Sequence, residues 1–417
     1  MGAAPLRNPE PPTRDGPALE PDRTPESGSP DHTLDDFSLV IGGPVYDYLL
    51  RVGLIRFELP NLMRRIAAII AITWIPLLVL SLKDALAYGH QVQVPLLYDF
   101  ATYGRLVLCL PLLMIAEVVI DPSIRRAIKQ FVSAGIIQEE GLPEFRGVLH
   151  RVQRLRDSKI PELMLLGLAF FPIFFFEREW TAAAASSWHS TSTGALTLPG
   201  WWYAVVSTPF LRFMIYRWVY RYFIWAVLLW KIGRLNLHLM ATHPDRAAGL
   251  DFLSLTQRGF GIVFAALGCA FAGRIANSVL FEGKQIASFQ VLMGGYIVLS
   301  LILGLLPLTL LSPRMQRVRK AGLLEYGRLA NRYTESFDRK WVHPIEPASE
   351  QLLGTADLQS LADLGNSYSV IQDMSIAPIT KRLVIFLAVQ AALPLVPVII
   401  VVTPTAELVN AIVKMVM

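Results

Sequence analysis

The stretch Trp201–Lys231, WWYAVVSTPFLRFMIYRWVYRYFIWAVLLWK, is apolar and aromatic enough to cross a bilayer, yet it carries Arg212, Arg217 and Arg221. An arginine at the centre of a spanning helix costs about 2.5–3.5 kcal/mol on insertion scales, so each needs a partner, water or a task. Trp201 and Trp202 pin one end at an interface, and Lys231 and Arg234 pin the other. About 30 helical residues extend about 45 Å against a hydrocarbon core of about 30 Å, which puts the midplane near Tyr216 or Arg217. Arg212 and Arg221 lie closer to the interfaces, where long side chains snorkel. Arg217 is too central for that. At about 100° per residue, Arg217 and Arg221 share one face, with Arg212 about 140° from Arg217.

The rest of the chain has the same character. Of 417 residues, 53% are apolar and only 17% charged, which excludes an ordinary soluble enzyme. Continuous apolar runs recur at about 66–85, 98–120, 160–177, 206–230, 257–280, 288–311 and 382–403, the length that helices need to span. The expected fold class is therefore all-α: a polytopic helical membrane protein of seven spans, with six or eight as alternatives. Lys and Arg concentrate before the first span and in the links after the second, fourth and sixth. By the positive-inside rule the N-terminus is cytoplasmic and the C-terminus external. The net charge of +5 then needs no partner beyond anionic lipid headgroups, and nothing reads as a nucleic-acid surface. Cys109 and Cys269 both fall within spans and read as small hydrophobes.

Four regions follow. Residues 1–36, rich in Pro, Gly, Asp and Arg, read as a disordered cytoplasmic tail. Residues 37–311 form the membrane domain, with an interfacial amphipathic segment at 38–64. Residues 312–380 are a cytoplasmic helical region: one helix from Arg314 to Trp341 extends span six, and a shorter one runs from Thr355 to a left-handed cap at Gly365-Asn366. Residues 381–417 hold span seven, broken by Pro394 and Pro397 one turn after Gln390, and a short terminal helix at 405–417. Asp121-Pro122-Ser123 reads as the start of a new basic helix at the inner end of span two.

Counter-charges for the arginines are available. Glu117 lies in the inner half of span two at the depth of Arg221, and Asp157 and Glu162 lie at the inner mouth of span three. A Glu117–Arg221 pair is one reading, structural in purpose. An anion-attracting vestibule is the other, with Arg274 outside, Arg217 central and Arg221 inside giving a positive lining. Arg274 and Asn277 share a face of span five, and Gly268 and Gly273 there suit close contact with Gly294 and Gly295 of span six. Voltage sensing fits poorly, because a spacing of five then four residues is not a ladder on one face.

Two polar motifs lie on the basic side. In LNLHLMATHPDRAAGLDFLSL, His238, His243 and Asp245 are weak metal-ligand candidates. The simpler reading is a corner in which Pro244 ends a helix, Asp245 caps the next and Gly249 permits close backbone approach. In LGTADLQSLAD, Asp357, Gln359, Ser360 and Asp363 gather on one short helix and read as capping and docking groups. Together, THPDRAAGLDFL and LLGTADLQSLADLGNSY resemble signatures of a group of uncharacterised bacterial multi-span membrane proteins, over roughly residues 40–400. That resemblance implies the fold and a bacterial inner-membrane setting, and transfers no activity.

The expected function is a membrane transport protein or ion channel for a small inorganic or organic anion, acting as a homo-oligomer in the bilayer. The alternative is a structural or signalling protein whose cytoplasmic helices bind a partner. A third reading, a membrane-embedded enzyme, requires His243, Asp245 and the 357–363 acids in one pocket. No cofactor is expected.

Overall fold

The computed structural model describes residues 37–40, 59–89, 91–171, 187–191, 195–344 and 355–402. The tail at 1–36, most of the 38–64 segment, the far end of the third apolar run and the terminal helix at 405–417 lie outside the described residues. Within them every regular element is a helix. The only extended pairings are isolated bridges among Val94, Ser187, Ser190 and Leu196 at one end of the bundle.

Five helical stretches are long and apolar enough to cross a membrane: Leu62–Lys83, Phe100–Ser133, Phe252–Leu280, Ile286–Thr309 and Lys381–Val401. The first comprises α1 (Leu59–Thr73) and α2 (Ile75–Lys83), parted at Trp74 just before Pro76. The second contains a π-helical stretch, Tyr103–Cys109, that runs into α3 (Leu110–Ser133). Asp121-Pro122 does not start a new helix as expected. Pro122 sits inside α3, and the carboxylate of Asp121 accepts hydrogen bonds from the distant residues Ser38, Leu39 and Val40 instead of capping its own turn.

After α4 (Leu142–Arg156) comes α5 (Lys159–Phe170), the near part of the third run. The arginine-bearing helix is α6 (Thr208–Ile232), preceded by a second π-helical stretch at Tyr203–Ser207. Its polar aromatic groups tie it to its neighbours: Trp218 Nε1 donates to the Leu113 carbonyl at 2.9 Å, and Trp225 Nε1 to Gln257 at 3.0 Å. Phe260 packs against Trp218, Tyr222 and Trp225, so α6 is held through ring contacts as well as hydrogen bonds. The arginines and these amphipathic rings lower the apolarity of α6, which is not among the five stretches.

Next come α7 (Phe252–Arg258), α8 (Gly261–Leu280) and α9 (Gln290–Thr309). Close packing of α8 depends on glycine, but not against the expected partner. A Cβ on Gly273 would meet the Phe100 carbonyl oxygen at 2.4 Å, and one on Gly104 the Cys269 carbonyl oxygen at 2.4 Å. The tight crossing therefore joins α8 to the π-helical start of the second span, where glycines let two backbones touch. Gly294 and Gly295 face open space.

A two-residue break at Leu310–Leu311 separates α9 from α10 (Ser312–Phe337), which pairs with α11 (Ala356–Gln372) as a helical hairpin. The expected cap at Gly365-Asn366 is absent: α11 runs through both residues, and its own turns satisfy their backbone groups. The final pieces are α12 (Lys381–Ala392), a tight turn at Leu393–Leu395 and α13 (Val396–Val402). The interruption predicted from Pro394 and Pro397 is thus present. Gln390 and Pro394 lie against Gly261 and Gly268 of α8, filling the space that those glycines leave.

Candidate functional site

The arginine face of α6 meets α1, α3 and α5 in one buried ionic cluster. Glu117 of α3 is the hub, with 5% of its side chain exposed. Its Oε1 lies 2.7 Å from Arg221 Nη1, and its Oε2 lies 3.1 Å from Arg65 Nη2 on α1. Arg221 also donates to the Val40 carbonyl at 3.3 Å and lies over the Trp218 ring at 5.1 Å. Helical periodicity gives this grouping. Arg217 and Arg221 are four residues apart and face the same neighbours, while Arg212 lies about 7–8 Å further along the helix on another side.

Arg217 is held differently. Its guanidinium is buried, but its nearest carboxylate oxygens are Glu162 Oε1 at 3.8 Å and Glu117 Oε1 at 4.0 Å. Both distances exceed hydrogen-bonding range, so the attraction is coulombic only. Arg217 lines a cavity of about 20 Å³ together with Glu162, Arg156, Tyr220, Arg221, Leu39 and Val40, enough room for about one water. Three guanidiniums (Arg65, Arg217 and Arg221) thus share two carboxylates, leaving one positive charge in excess.

A second polar cluster lies some 18 residues back along the same span, roughly 25 Å away. Asp99 accepts from Thr102 N at 3.1 Å, Thr102 Oγ1 at 2.6 Å, Trp188 Nε1 at 2.8 Å and Asn277 Nδ2 at 2.6 Å. Burial disfavours its charge, but these donors outweigh burial and hold its carboxyl below the usual range. His189, beside Trp188 and Tyr203, is pushed below its ordinary pKa by burial, with Arg105 and Arg274 adding to the shift and Asp99 opposing it. Arg274 pairs with Glu282 at 3.5 Å. Glu282 is lowered chiefly by its hydrogen bond from Lys284, against burial and with help from Arg274. The expected line of Arg274, Arg217 and Arg221 is therefore divided: Arg274 and Asn277 belong to this cluster, and Gln390 packs separately on α8.

The histidine motif is a turn within an irregular link and not the expected helix end and cap. α6 ends at Ile232, well before Pro244, and α7 begins at Phe252 after Asp251, so Asp245 holds the turn's backbone instead of a helix terminus. Asp245 Oδ1 accepts from Ala247 N at 2.8 Å and Gly249 N at 3.1 Å, and its Oδ2 from Asp251 N at 3.2 Å, just before α7 begins. His243 Nδ1 lies 2.8 Å from the same carboxylate. His238 is exposed and is held through its backbone, which donates to Ile136. Among the described residues no group of three or more His, Cys, Asp or Glu is placed to hold a metal ion. The corner docks on the end of α11, where Arg246 pairs with Asp373 at 3.3 Å and the Arg246 carbonyl accepts from Ser375 N at 2.8 Å.

Asp357 is at the other end of α11, bonded to Lys340 at 2.8 Å and to Trp341 Nε1 at 3.0 Å. Those two bonds, Lys340 first, lower its pKa. Gln359 donates to Asp363 at 2.9 Å, and Ser360 is exposed on the same helix. Sixteen residues of helix, about 24 Å, separate Asp357 from the corner. The pocket that an enzyme reading requires is therefore not assembled from these groups.

Residue types alone did not single out Arg65, Asp121, Arg156 or the Phe37–Val40 segment as site components. Arg65 read as a topology charge and Asp121 as a cap. The available signal was that both are ionic residues at the edge of an apolar run, where a charge needs a partner. No protein-family model, curated protein or solved structure matches the chain.

Proposed function

We propose that the chain is a seven-span membrane protein of the bacterial inner membrane that binds and passes a small anion, with Arg217 as the recognising group. The observation that carries this reading is the under-neutralised, buried guanidinium of Arg217 on a small cavity. Removing a charge from water without a close partner is costly, and a small anion taking the room of about one water in the cavity would supply both the hydrogen-bond acceptor and the charge that the carboxylates leave short. In this reading α5 and α6 complete the count of seven, and the N-terminus and the Arg-rich links face the cytoplasm. A homo-oligomeric assembly in the bilayer belongs to the same reading.

The test is anion efflux from proteoliposomes holding the full chain, with chloride, nitrate and sulfate at both voltage polarities and between pH 5 and 8. We expect flux that falls at least about tenfold in Arg217→Gln, the effect of losing roughly 1.4 kcal/mol of binding. No flux for any anion, or flux indifferent to Arg217→Gln, would sink the reading.

The second reading, a signalling or structural protein, is favoured by the α10–α11 hairpin. It exposes Leu324, Leu329 and Leu358 beside many basic groups. In that case Arg217→Gln would alter folding yield alone.

A further inference from the structure

We propose that Phe37–Val40 is an intramolecular stopper that closes the Arg217 cavity from the side of the chain's own N-terminal segment. The proposal rests on the anion reading only for what the stopper withholds; the docking itself stands on separate contacts. Phe37, Ser38 and Leu39 are each 1% exposed and Val40 is 8% exposed, so this four-residue piece is as buried as the helices around it. Regular secondary structure does not hold it there. Instead, its backbone groups are received by ionic side chains of three helices.

The receptor is specific in its chemistry. Asp121 Oδ1 accepts from the Ser38 hydroxyl at 2.5 Å, Leu39 N at 2.9 Å and Val40 N at 3.2 Å. Arg125 holds the other oxygen of that carboxylate at 2.9 Å, which fixes its orientation. Arg156 of α4 donates to the Ser38 carbonyl, and Arg221 of α6 donates to the Val40 carbonyl at 3.3 Å. Two of the segment's amides thus meet a carboxylate and two of its carbonyls meet guanidiniums, so these backbone donors and acceptors are each matched by a side chain of the fitting charge. Charge-assisted bonds of this kind are stronger than neutral ones.

Position turns docking into closure. Leu39 and Val40 form part of the wall of the cavity that Arg217, Glu162 and Tyr220 also line. Arg221 binds both the segment and Glu117, the hub of the ionic cluster. Withdrawal of the segment would remove the Leu39 and Val40 wall and release an Arg221 donor beside Arg217. Occupant and receptor are parts of one chain, so the effective concentration is high and modest contacts suffice to keep the site closed.

Thiol protection measures the closure without reference to any anion. Ile224 lines the cavity and is 0% exposed. In the full chain with Cys109→Ala and Cys269→Ala, Ile224→Cys is expected to react slowly with N-ethylmaleimide. Ser38→Asp sets a second carboxylate against Asp121, and deletion of residues 1–40 removes the segment outright. Each should raise the labelling rate at least about tenfold, as expected when charge-assisted contacts are lost. Deletion tests closure even where Ser38→Asp folds poorly. An unchanged rate in both variants overturns the proposal. Chloride or nitrate flux measured on the same preparations should rise on deletion. Faster labelling with no flux in any variant would support the stopper and remove the anion reading.

Discussion

Glu117 on α3 and Arg221 on α6 meet at 2.7 Å with 5% and 4% of their side chains exposed, an ion pair almost wholly withdrawn from solvent. The pair is not isolated, because Arg65 and Arg217 draw on the same carboxylate. Replacing Glu117 by Gln therefore withdraws a shared negative charge from three guanidiniums, and leaves Arg65 and Arg221 without their carboxylate. Breaking a buried pair from one side costs about 3–5 kcal/mol. Thermal or denaturant unfolding of Glu117→Gln in detergent should show a loss of this order. Glu117→Gln combined with Arg221→Gln should lose less than the sum of the two single changes, since each single change removes the same bond. Additive losses would show that the contact carries no coupling.

The glycine positions divide into two sets with opposite expectations. On Gly104 or Gly273 a methyl would stand 2.4 Å from a backbone carbonyl oxygen of the facing segment, where no flexible side chain can yield. Gly273→Ala should therefore destabilise the protein by about 1–3 kcal/mol through overpacking. Gly294→Ala and Gly295→Ala meet nothing within 4 Å and should stay within about 0.5 kcal/mol of the parent. Melting temperatures of the four single variants decide the matter. Equal losses in both sets would place a helix partner on Gly294 and Gly295.

That contrast also marks what the sequence could convey. Apolar length predicts the helices, and four-residue spacing predicts that Arg217 and Arg221 share a face, because both follow from local geometry. Which glycine meets which helix depends on the order of packing, and small residues in α8 fit several neighbours equally well. Asp121 shows the same limit. Asp-Pro is a sound local signal for a helix start, yet a carboxylate offered three donors by Ser38, Leu39 and Val40 serves a distant segment, and α3 continues through Pro122. The under-neutralised state of Arg217 was equally hidden, since Glu117 and Glu162 are visible in sequence but their distances are not.

His189 provides a pH dependence of defined sign. Burial, aided by Arg105 and Arg274, lowers its folded-state pKa below 6.5. As pH falls through that range, the unfolded chain takes up the proton before the folded one, so stability declines on acidification. The contribution is fully present above the unfolded value and disappears as pH drops through the folded one. Unfolding followed from pH 7.5 to 5 should show this decline, and His189→Gln should flatten it. A slope that persists in His189→Gln would assign the effect to other groups.

Asp245 tests whether the corner motif is structural. Its carboxylate receives three backbone N–H groups, from Ala247, Gly249 and Asp251, within a turn where Arg246 and Ala248 take φ of 54° and 56°. Left-handed backbone costs an ordinary residue about 1–2 kcal/mol, so the turn is strained and depends on those bonds. Asp245→Ala leaves the donors without their acceptor and should destabilise the chain by about 1–3 kcal/mol. Because Arg246 joins this turn to Asp373 and Ser375, protease sensitivity should rise at the α11 end as well as at the corner. His243→Gln removes the ring contact to the same carboxylate and one backbone bond, from Asp245 N at 3.3 Å, against three backbone bonds lost in Asp245→Ala, and should cost less. Comparable losses in Asp245→Ala and His243→Gln would mean that the side-chain pair, rather than the backbone cage, holds the corner together.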